Sequence, residues 1–168
     1  MRLGVPERLA ERMLTSGFDH VAVLTADTDA FVRFFVDVFD ADVFGSPPEM
    51  PPGMRLTFLK VGPDSEFNIF QIDGNTEASR QTPMGGRGRL DHLGLRAASM
   101  ADFETIRDRL MARGASEGFV TDFGAVLSCY FVGPDGLESE VCVANPDWDG
   151  TAMNPPGTPA RRFHPDAA

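Results

Sequence analysis

Two histidines occupy the same local setting far apart in the chain. Phe18-Asp19-His20-Val21-Ala22-Val23-Leu24 and Leu90-Asp91-His92-Leu93-Gly94-Leu95-Arg96 both read apolar-Asp-His-apolar-small-apolar, and His92 lies 72 residues after His20. An imidazole can ligate a metal, carry a proton or simply satisfy hydrogen bonds in a core. A lone histidine is most often the last of these. A histidine repeated at the same point of the same strand marks a duplicated unit instead. A carboxylate completes the pattern. Val61-Gly62-Pro63-Asp64 is echoed by Val132-Gly133-Pro134-Asp135 at an offset of 71, and one extra turn residue in the second copy restores 72 beyond it. That alignment sets Asn68 opposite Glu140. Polar residues in the middle of strands are costly if buried without partners. If the sheets curl so that these groups converge, two neutral imidazoles and a carboxylate make a divalent-metal site with open positions.

The elements that must position these groups also repeat. Residues 18–72 form a first module: a strand over Phe18–Leu24, a helix over Ala30–Phe39 with Asp27 or Thr28 as its cap, then strands over 40–44, 55–61 and 66–72. Residues 90–144 form a second: a strand over 90–96, a helix over Met100–Arg113 stopped by Gly114, then strands over 116–121, 126–132 and 138–144. Each module reads βαβββ, so the fold class is α+β. Residues 73–89 are a glycine-rich linker, and its Gly85-Gly86-Arg87-Gly88 run lacks the strand and helix that a phosphate loop needs. Residues 1–17 form an N-terminal arm with a short amphipathic helix over Pro6–Leu14. Residues 145–168, rich in Pro, Gly, Asp and Ala, read as an irregular C-terminal tail.

Side chains alternate faces along a strand. His20 therefore shares a face with Phe18, Ala22 and Leu24, and His92 with Leu90, Gly94 and Arg96. Glu140 shares one with Glu138 and Cys142, and Asn68 with Glu66 and Phe70. Gln71 points the other way unless its strand bulges.

The 168 residues carry a formal net charge of −10 at a pI near 4.6, with 42% hydrophobic residues. This excludes a disordered chain and argues against nucleic-acid or anionic-membrane partners. No apolar run is long enough to span a bilayer, and the first residues lack a signal-peptide core, so a cytoplasmic protein is expected. Two cysteines, Cys129 and Cys142, are too few for a disulfide framework and read as reduced core thiols.

At these residues the sequence resembles the vicinal oxygen chelate superfamily, which includes glyoxalase I, methylmalonyl-CoA epimerase, extradiol dioxygenases and fosfomycin- and bleomycin-resistance proteins. The resemblance runs over about residues 18–144. It rests on the two Asp-His strands and on Gly133-Pro134-Asp135-Gly136-Leu137-Glu138-Ser139-Glu140. The last stretch is similar to the family's Asp-Pro-Asp-Gly-Asn-x-x-Glu turn and ligand strand, with Gly133 and Leu137 as departures.

The resemblance implies a half-open curved sheet around one divalent metal ion (Fe, Zn, Ni, Co or Mn) held by His20, His92 and Glu140. It also implies a small oxygenated substrate bound through two oxygens, and a homodimer. The isomerase-like members take a fourth ligand from the position of Asn68, which is a poor ligand, so three ligands are expected here, as in the dioxygenases. Tyr130-Phe131-Val132-Gly133-Pro134-Asp135-Gly136 fits the dioxygenase Tyr-x-x-Asp-Pro-x-Gly run. The catalytic histidine that precedes that run in the family is missing from Thr121 to Cys129. His164, in the tail, would have to fold back to serve. In a glyoxalase-like reaction Glu140 is the candidate base. Glu140 and Tyr130 are thus the catalytic candidates, with Asn68, Phe70 and Arg96 for substrate. The competing readings are a metal-free module of the same fold that sequesters a small molecule such as a drug, and a degenerate enzyme that keeps its metal but not turnover.

Overall fold

A computed structural model describes residues 14, 17–78, 80, 90–150 and 159–166. The arm helix expected over Pro6–Leu14 and most of the linker lie outside the described residues. The first module runs β1 (His20–Leu24), α1 (Thr28–Phe39), β2 (Asp42–Gly45), β3 (Met54–Gly62) and β4 (Ser65–Ile72). The second runs β5 (Leu93–Arg96), α2 (Met100–Ala112), β6 (Val120–Asp122), β7 (Val126–Val132), a 3-10 turn (Pro134–Gly136) and β8 (Glu138–Ala144). A further strand, β9 (Arg161–Phe163), follows.

The strands form two mixed sheets, ordered β1-β4-β3-β2 and β5-β8-β7-β6-β9. With the two helices this is an α+β fold without a closed barrel. β1 runs parallel to β4, and β5 parallel to β8. The registers coincide: Ala22 faces Asn68 as Gly94 faces Glu140. The 72-residue repeat of the sequence is therefore a repeat of strand pairing.

Each helix forms where its ends can be satisfied. The Asp27 carboxylate accepts from the Ala30 amide at 2.9 Å, and the Ser99 hydroxyl accepts from the Asp102 amide at 3.1 Å. Asp40 closes α1 in the left-handed region at φ 52°, and Gly114 follows α2 at φ 66°. α1 buries Phe31, Phe34, Phe35 and Val38 against Leu59, Phe67 and Ile69. α2 buries Phe103 and Leu110 over Val120, Cys129 and Val141. These residues belong to one hydrophobic cluster, joined across the modules where the Phe34 and Phe131 rings stack at 6.1 Å.

Polar ties reinforce the junction. Asp135, in the second module's Gly-Pro-Asp-Gly turn, accepts from the Thr25 hydroxyl at 2.6 Å and the Ala26 amide at 3.3 Å. Arg109 reaches the Val38 carbonyl at 3.2 Å and Asp40 at 2.8 Å, and Arg113 pairs with Asp37.

Three differences from the expected elements matter later. β1 and β5 start at His20 and Leu93 rather than at Phe18 and Leu90, because pairing begins at Glu66 on β4 and at Ser139 on β8. β6 is confined to Val120–Asp122 instead of running over 116–121, since the Ser116 hydroxyl ties the preceding segment locally, bonding the Gly118 amide at 3.1 Å and the Tyr130 carbonyl at 2.6 Å. The tail is not irregular throughout: β9 pairs antiparallel with β6, Thr121 opposite Arg162, and extends the second sheet by one strand.

Candidate metal and substrate site

The helix-free faces of the two sheets carry the polar residues singled out above. On the second sheet the pairings set Gly94, Glu140 and Tyr130 side by side across β5, β8 and β7. His92 precedes β5, and its Nε2 lies 3.5 Å from Glu140 Oε1. The other carboxylate oxygen, Oε2, accepts from the Ser128 hydroxyl. Glu140 is largely buried, at 16% side-chain exposure, so an anchored oxygen on one side leaves Oε1 as its working atom. Gly94 makes this packing possible. A Cβ at that position would sit 3.2 Å from Oε1 and 3.6 Å from Cγ of Glu140. Gly94→Ala should therefore displace the carboxylate by a few tenths of an ångström and weaken divalent-metal binding severalfold. The thermal midpoint should hold, because residue 94 does not need glycine's backbone freedom; calorimetric titration together with a melting curve checks both.

Each histidine is held from behind by the aspartate before it. His20 Nδ1 lies 2.8 Å from Asp19 Oδ1, and His92 Nδ1 lies 2.8 Å from Asp91 Oδ2. A carboxylate only accepts, so Nδ1 carries the proton and Nε2 presents its lone pair outward. This is the arrangement by which an outer carboxylate orients an imidazole ligand and raises its basicity. No local pattern gives these aspartates a role; their repetition beside both histidines is the signal the sequence carries.

The structure places the remaining candidates as follows. His20 and His92 line one cavity of about 380 Å³. His20 is grouped with Asp19 and Glu66, however, rather than with His92 and Glu140. Among the described residues this is the one set of three His, Cys, Asp or Glu whose ligand atoms all lie within 4.8 Å of one another. Tyr130 is half-buried with its ring 6.0 Å from that of His92, and burial together with the Glu140 carboxylate pushes its phenol up, so it remains a donor.

Asn68 is half-buried, and its Oδ1 is buried with no hydrogen-bond partner among the described residues. Phe70 is half-buried and pairs with Leu24 and Leu56. Arg96 is exposed beside Cys142 and lines a different cavity, of about 500 Å³, with Asn145 and Trp148. Gln71 lies on the helix side, where its Oε1 accepts from the Thr28 amide at 2.9 Å and helps to cap α1. His164 is occupied elsewhere: its Nε2 meets the Glu117 carbonyl at 3.2 Å and its ring stands edge-on to Phe119 at 5.3 Å. Burial pushes the Cys142 thiol up to about 12, and the Cys129 thiol up as well, so neither presents a thiolate near neutral pH.

The donor set suits a divalent cation. Two Nε2 lone pairs, each oriented by an aspartate, and one largely buried carboxylate oxygen are the ligands that Zn, Mn, Fe, Co and Ni accept. The orphaned Asn68 Oδ1 adds a neutral acceptor on the face that carries His20.

The fold and these motifs define a class of protein whose paired βαβββ modules carry polar groups on their open faces. Residues 17–141 match the model of the Glyoxalase/Bleomycin resistance protein/Dioxygenase superfamily, and the chain belongs to that superfamily. Solved structures agree on the fold. A glyoxylase/bleomycin resistance protein/dioxygenase domain from Frankia sp. EAN1pec is 22% identical, at TM-score 0.62 over 78% of this chain and 99% of that one. A glyoxalase family protein from Enterococcus faecalis is 25% identical, at TM-score 0.59 over 77% and 99%. The fosfomycin resistance protein FosX from Listeria monocytogenes, solved with Mn(II) and sulfate, is 14% identical, at TM-score 0.55 over 80% and 98%. No curated protein matches the chain. Among the described residues, no helix is long and apolar enough to cross a membrane.

Proposed function

We propose that the chain is a divalent-metal-dependent enzyme acting on a small oxygenated substrate, with His92, Glu140 and His20 as the protein ligands. The observation that carries this reading is the Asp-backed histidine occurring twice, with His92 Nε2 held 3.5 Å from Glu140 Oε1. When bound, the metal supplies Lewis acidity toward two neighbouring substrate oxygens. The protein does the rest. Asp19 and Asp91 fix the imidazole tautomers, Ser128 anchors Glu140, and Tyr130 donates a hydrogen bond toward substrate oxygen. Asn68 offers a carbonyl unpaired among the described residues, and Phe70 an apolar wall, on the facing sheet. Glu140 is the group able to take a proton. Glyoxalase-like or isomerase-like chemistry fits better than extradiol cleavage, because His164 is engaged with Glu117 and Phe119, and the histidine beside Tyr130 is His92, itself a proposed metal ligand.

His20 shares a cavity with His92 within one chain but is not grouped with Glu140 there, so the imidazole that completes the site is proposed to come from a second copy of the chain. The first sheet's open face bears exposed apolar groups that a partner would cover, with Leu24 at 41% and Phe44 at 45% exposure and the Phe44 and Phe58 rings stacked at 5.6 Å. A homodimer would lay this face on the second sheet of its mate and bring His20 to His92 and Glu140, twice. Two variants test this together. Protein carrying His20→Ala and protein carrying Glu140→Gln should each bind Mn(II) poorly. Unfolded together and refolded as a mixture, they should regain about one quarter of the wild-type sites, all in mixed dimers with one intact centre. Recovery of none would place each site within one chain.

The metal-free sequestration reading makes the opposite prediction. Protein purified without chelator would then carry no stoichiometric metal, and ligand binding would be indifferent to Glu140→Gln.

A further inference from the structure

β9 lies beyond residues 17–141, the stretch matched to the superfamily. It is firmly seated. Phe163 packs against the core, and the buried Arg107 of α2 holds the segment after the strand through Asp166, at 2.7 Å. The consequence on the open face is a guanidinium. The pairings run Arg96, Cys142, Ser128, Thr121 and Arg162 in a single row across the five strands. Arg162 therefore occupies the same face as Glu140, at the far edge. It lines a cavity of about 790 Å³ that also reaches Tyr130 and Glu138, with Phe119 and Val132 as apolar wall. This cavity adjoins the proposed metal centre through Tyr130, whose ring lies 6.0 Å from that of His92.

From this placement we infer that Arg162 is a specificity-determining residue that binds the carboxylate of a small-molecule substrate whose other end reaches the His92–Glu140 pair. The inference rests on the function proposed above for the identity of that ligand as substrate. The guanidinium is pre-oriented, lying over the Phe119 ring at 4.4 Å, which leaves its edge free for a fork-like pair of hydrogen bonds. Its present partner is weak: Glu117 is 79% exposed and 3.5 Å away, a contact that a better-placed anion displaces. The charge of the ligand follows from the walls. Among the described residues lining the cavity Arg162 is the one cation, and an anion that displaces the exposed Glu117 from it is matched at one negative charge and not at two. A carboxylate fits this balance better than a phosphate or phosphonate dianion. Three strand spacings separate β8 from β9, about 14 Å of backbone, so the ligand must have an apolar body between its two polar ends. Phe119, Tyr130 and Val132 supply the matching surface.

Propionate serves as the probe, followed by NMR of the ¹⁵N-labelled full chain at pH 8, both chelator-treated and with Mn(II) added. The expected result is a saturable shift of the Phe119, Thr121 and Arg162 amides in the metal-free protein, unmatched by neutral propionamide. Arg162→Gln should weaken binding about tenfold, with Arg162→Lys between the two. Methylphosphonate should bind less tightly than propionate. Equal affinity in Arg162→Gln, no saturable shift, or tighter binding of methylphosphonate would overturn the inference. The Mn(II) arm reports separately: propionate binding that depends on Arg162 in a protein that takes up no Mn(II) sinks the metal-enzyme reading and leaves the carboxylate subsite standing.

Discussion

Glu140→Gln is expected to lower the affinity for Mn(II) by more than about 100-fold, beyond the loss usual for an outer-shell residue. The substitution keeps the size and shape of the side chain. Ser128 still has an oxygen to donate to, so the sheet should remain intact and the thermal midpoint should move little. What disappears is the negative charge beside His92 Nε2. With Glu140 amidated, two neutral imidazoles would face the cation, and a cation taken out of water into a largely buried site needs charge as well as lone pairs. Competition against a chelating dye reads the affinity directly. An unchanged affinity with an unchanged fold would show that the cation, if any, is held elsewhere, with the Asp19, His20 and Glu66 group as the alternative.

The second large effect concerns stability. Arg107 is the most deeply buried charged side chain described, at 4% exposure, and its Nε donates to the Gly118 carbonyl at 2.6 Å. Arg107→Met fills similar space but leaves that carbonyl orphaned, a loss of about 2 kcal/mol. The variant should also release β9, since Asp166 and His164 lose their common partner. Hydrogen exchange should then report faster exchange at Val120–Asp122, β6's pairing partner to β9, along with a lower denaturant midpoint. Asp166→Asn, at an exposed position, should do much less. The anchor also predicts a pH response. The Arg107 guanidinium holds the Asp166 carboxyl below its usual 3.8, so the folded value lies under the unfolded one. That contribution is complete above the unfolded value and is lost as pH falls through the lowered folded value. β9 should therefore stay attached through mildly acid conditions, and the small Asp166 contribution to its seating should be lost only in strong acid.

The duplicated scaffold was legible because its signals are local. Two Asp-His strands, two Gly-Pro-Asp turns and two amphipathic helices each declare themselves within a dozen residues, and the constant offset ties them together. β7 and β8 occur where alternation and turns place them, and Asn68 stands in the register position of Glu140. β9 was not legible: Arg-Arg-Phe is too short to show a period, and only its contacts with β6 and Arg107 make it a strand. The burial of Arg107 was equally hidden: one turn beyond Phe103 it falls on the apolar face, but a charge there has no visible partner in the sequence until Gly118 and Asp166 are known to lie over it.

At the site, the polar residues could be named from sequence, and so could the superfamily. What could not be read was which groups meet. The pairing of His92 with Glu140 depends on Gly94 leaving room, and the grouping of His20 with Glu66 depends on register in the other sheet. Both are long-range consequences of strand order, which a one-dimensional pattern carries only through the repeat.

The most direct test of the account is anomalous diffraction from crystals of the chain grown with Mn(II). A single peak per chain is predicted, within bonding distance of His92 Nε2, Glu140 Oε1 and the Nε2 of a second copy's His20. No peak at saturating Mn(II), or a peak bonded only to Asp19 and Glu66, would contradict it.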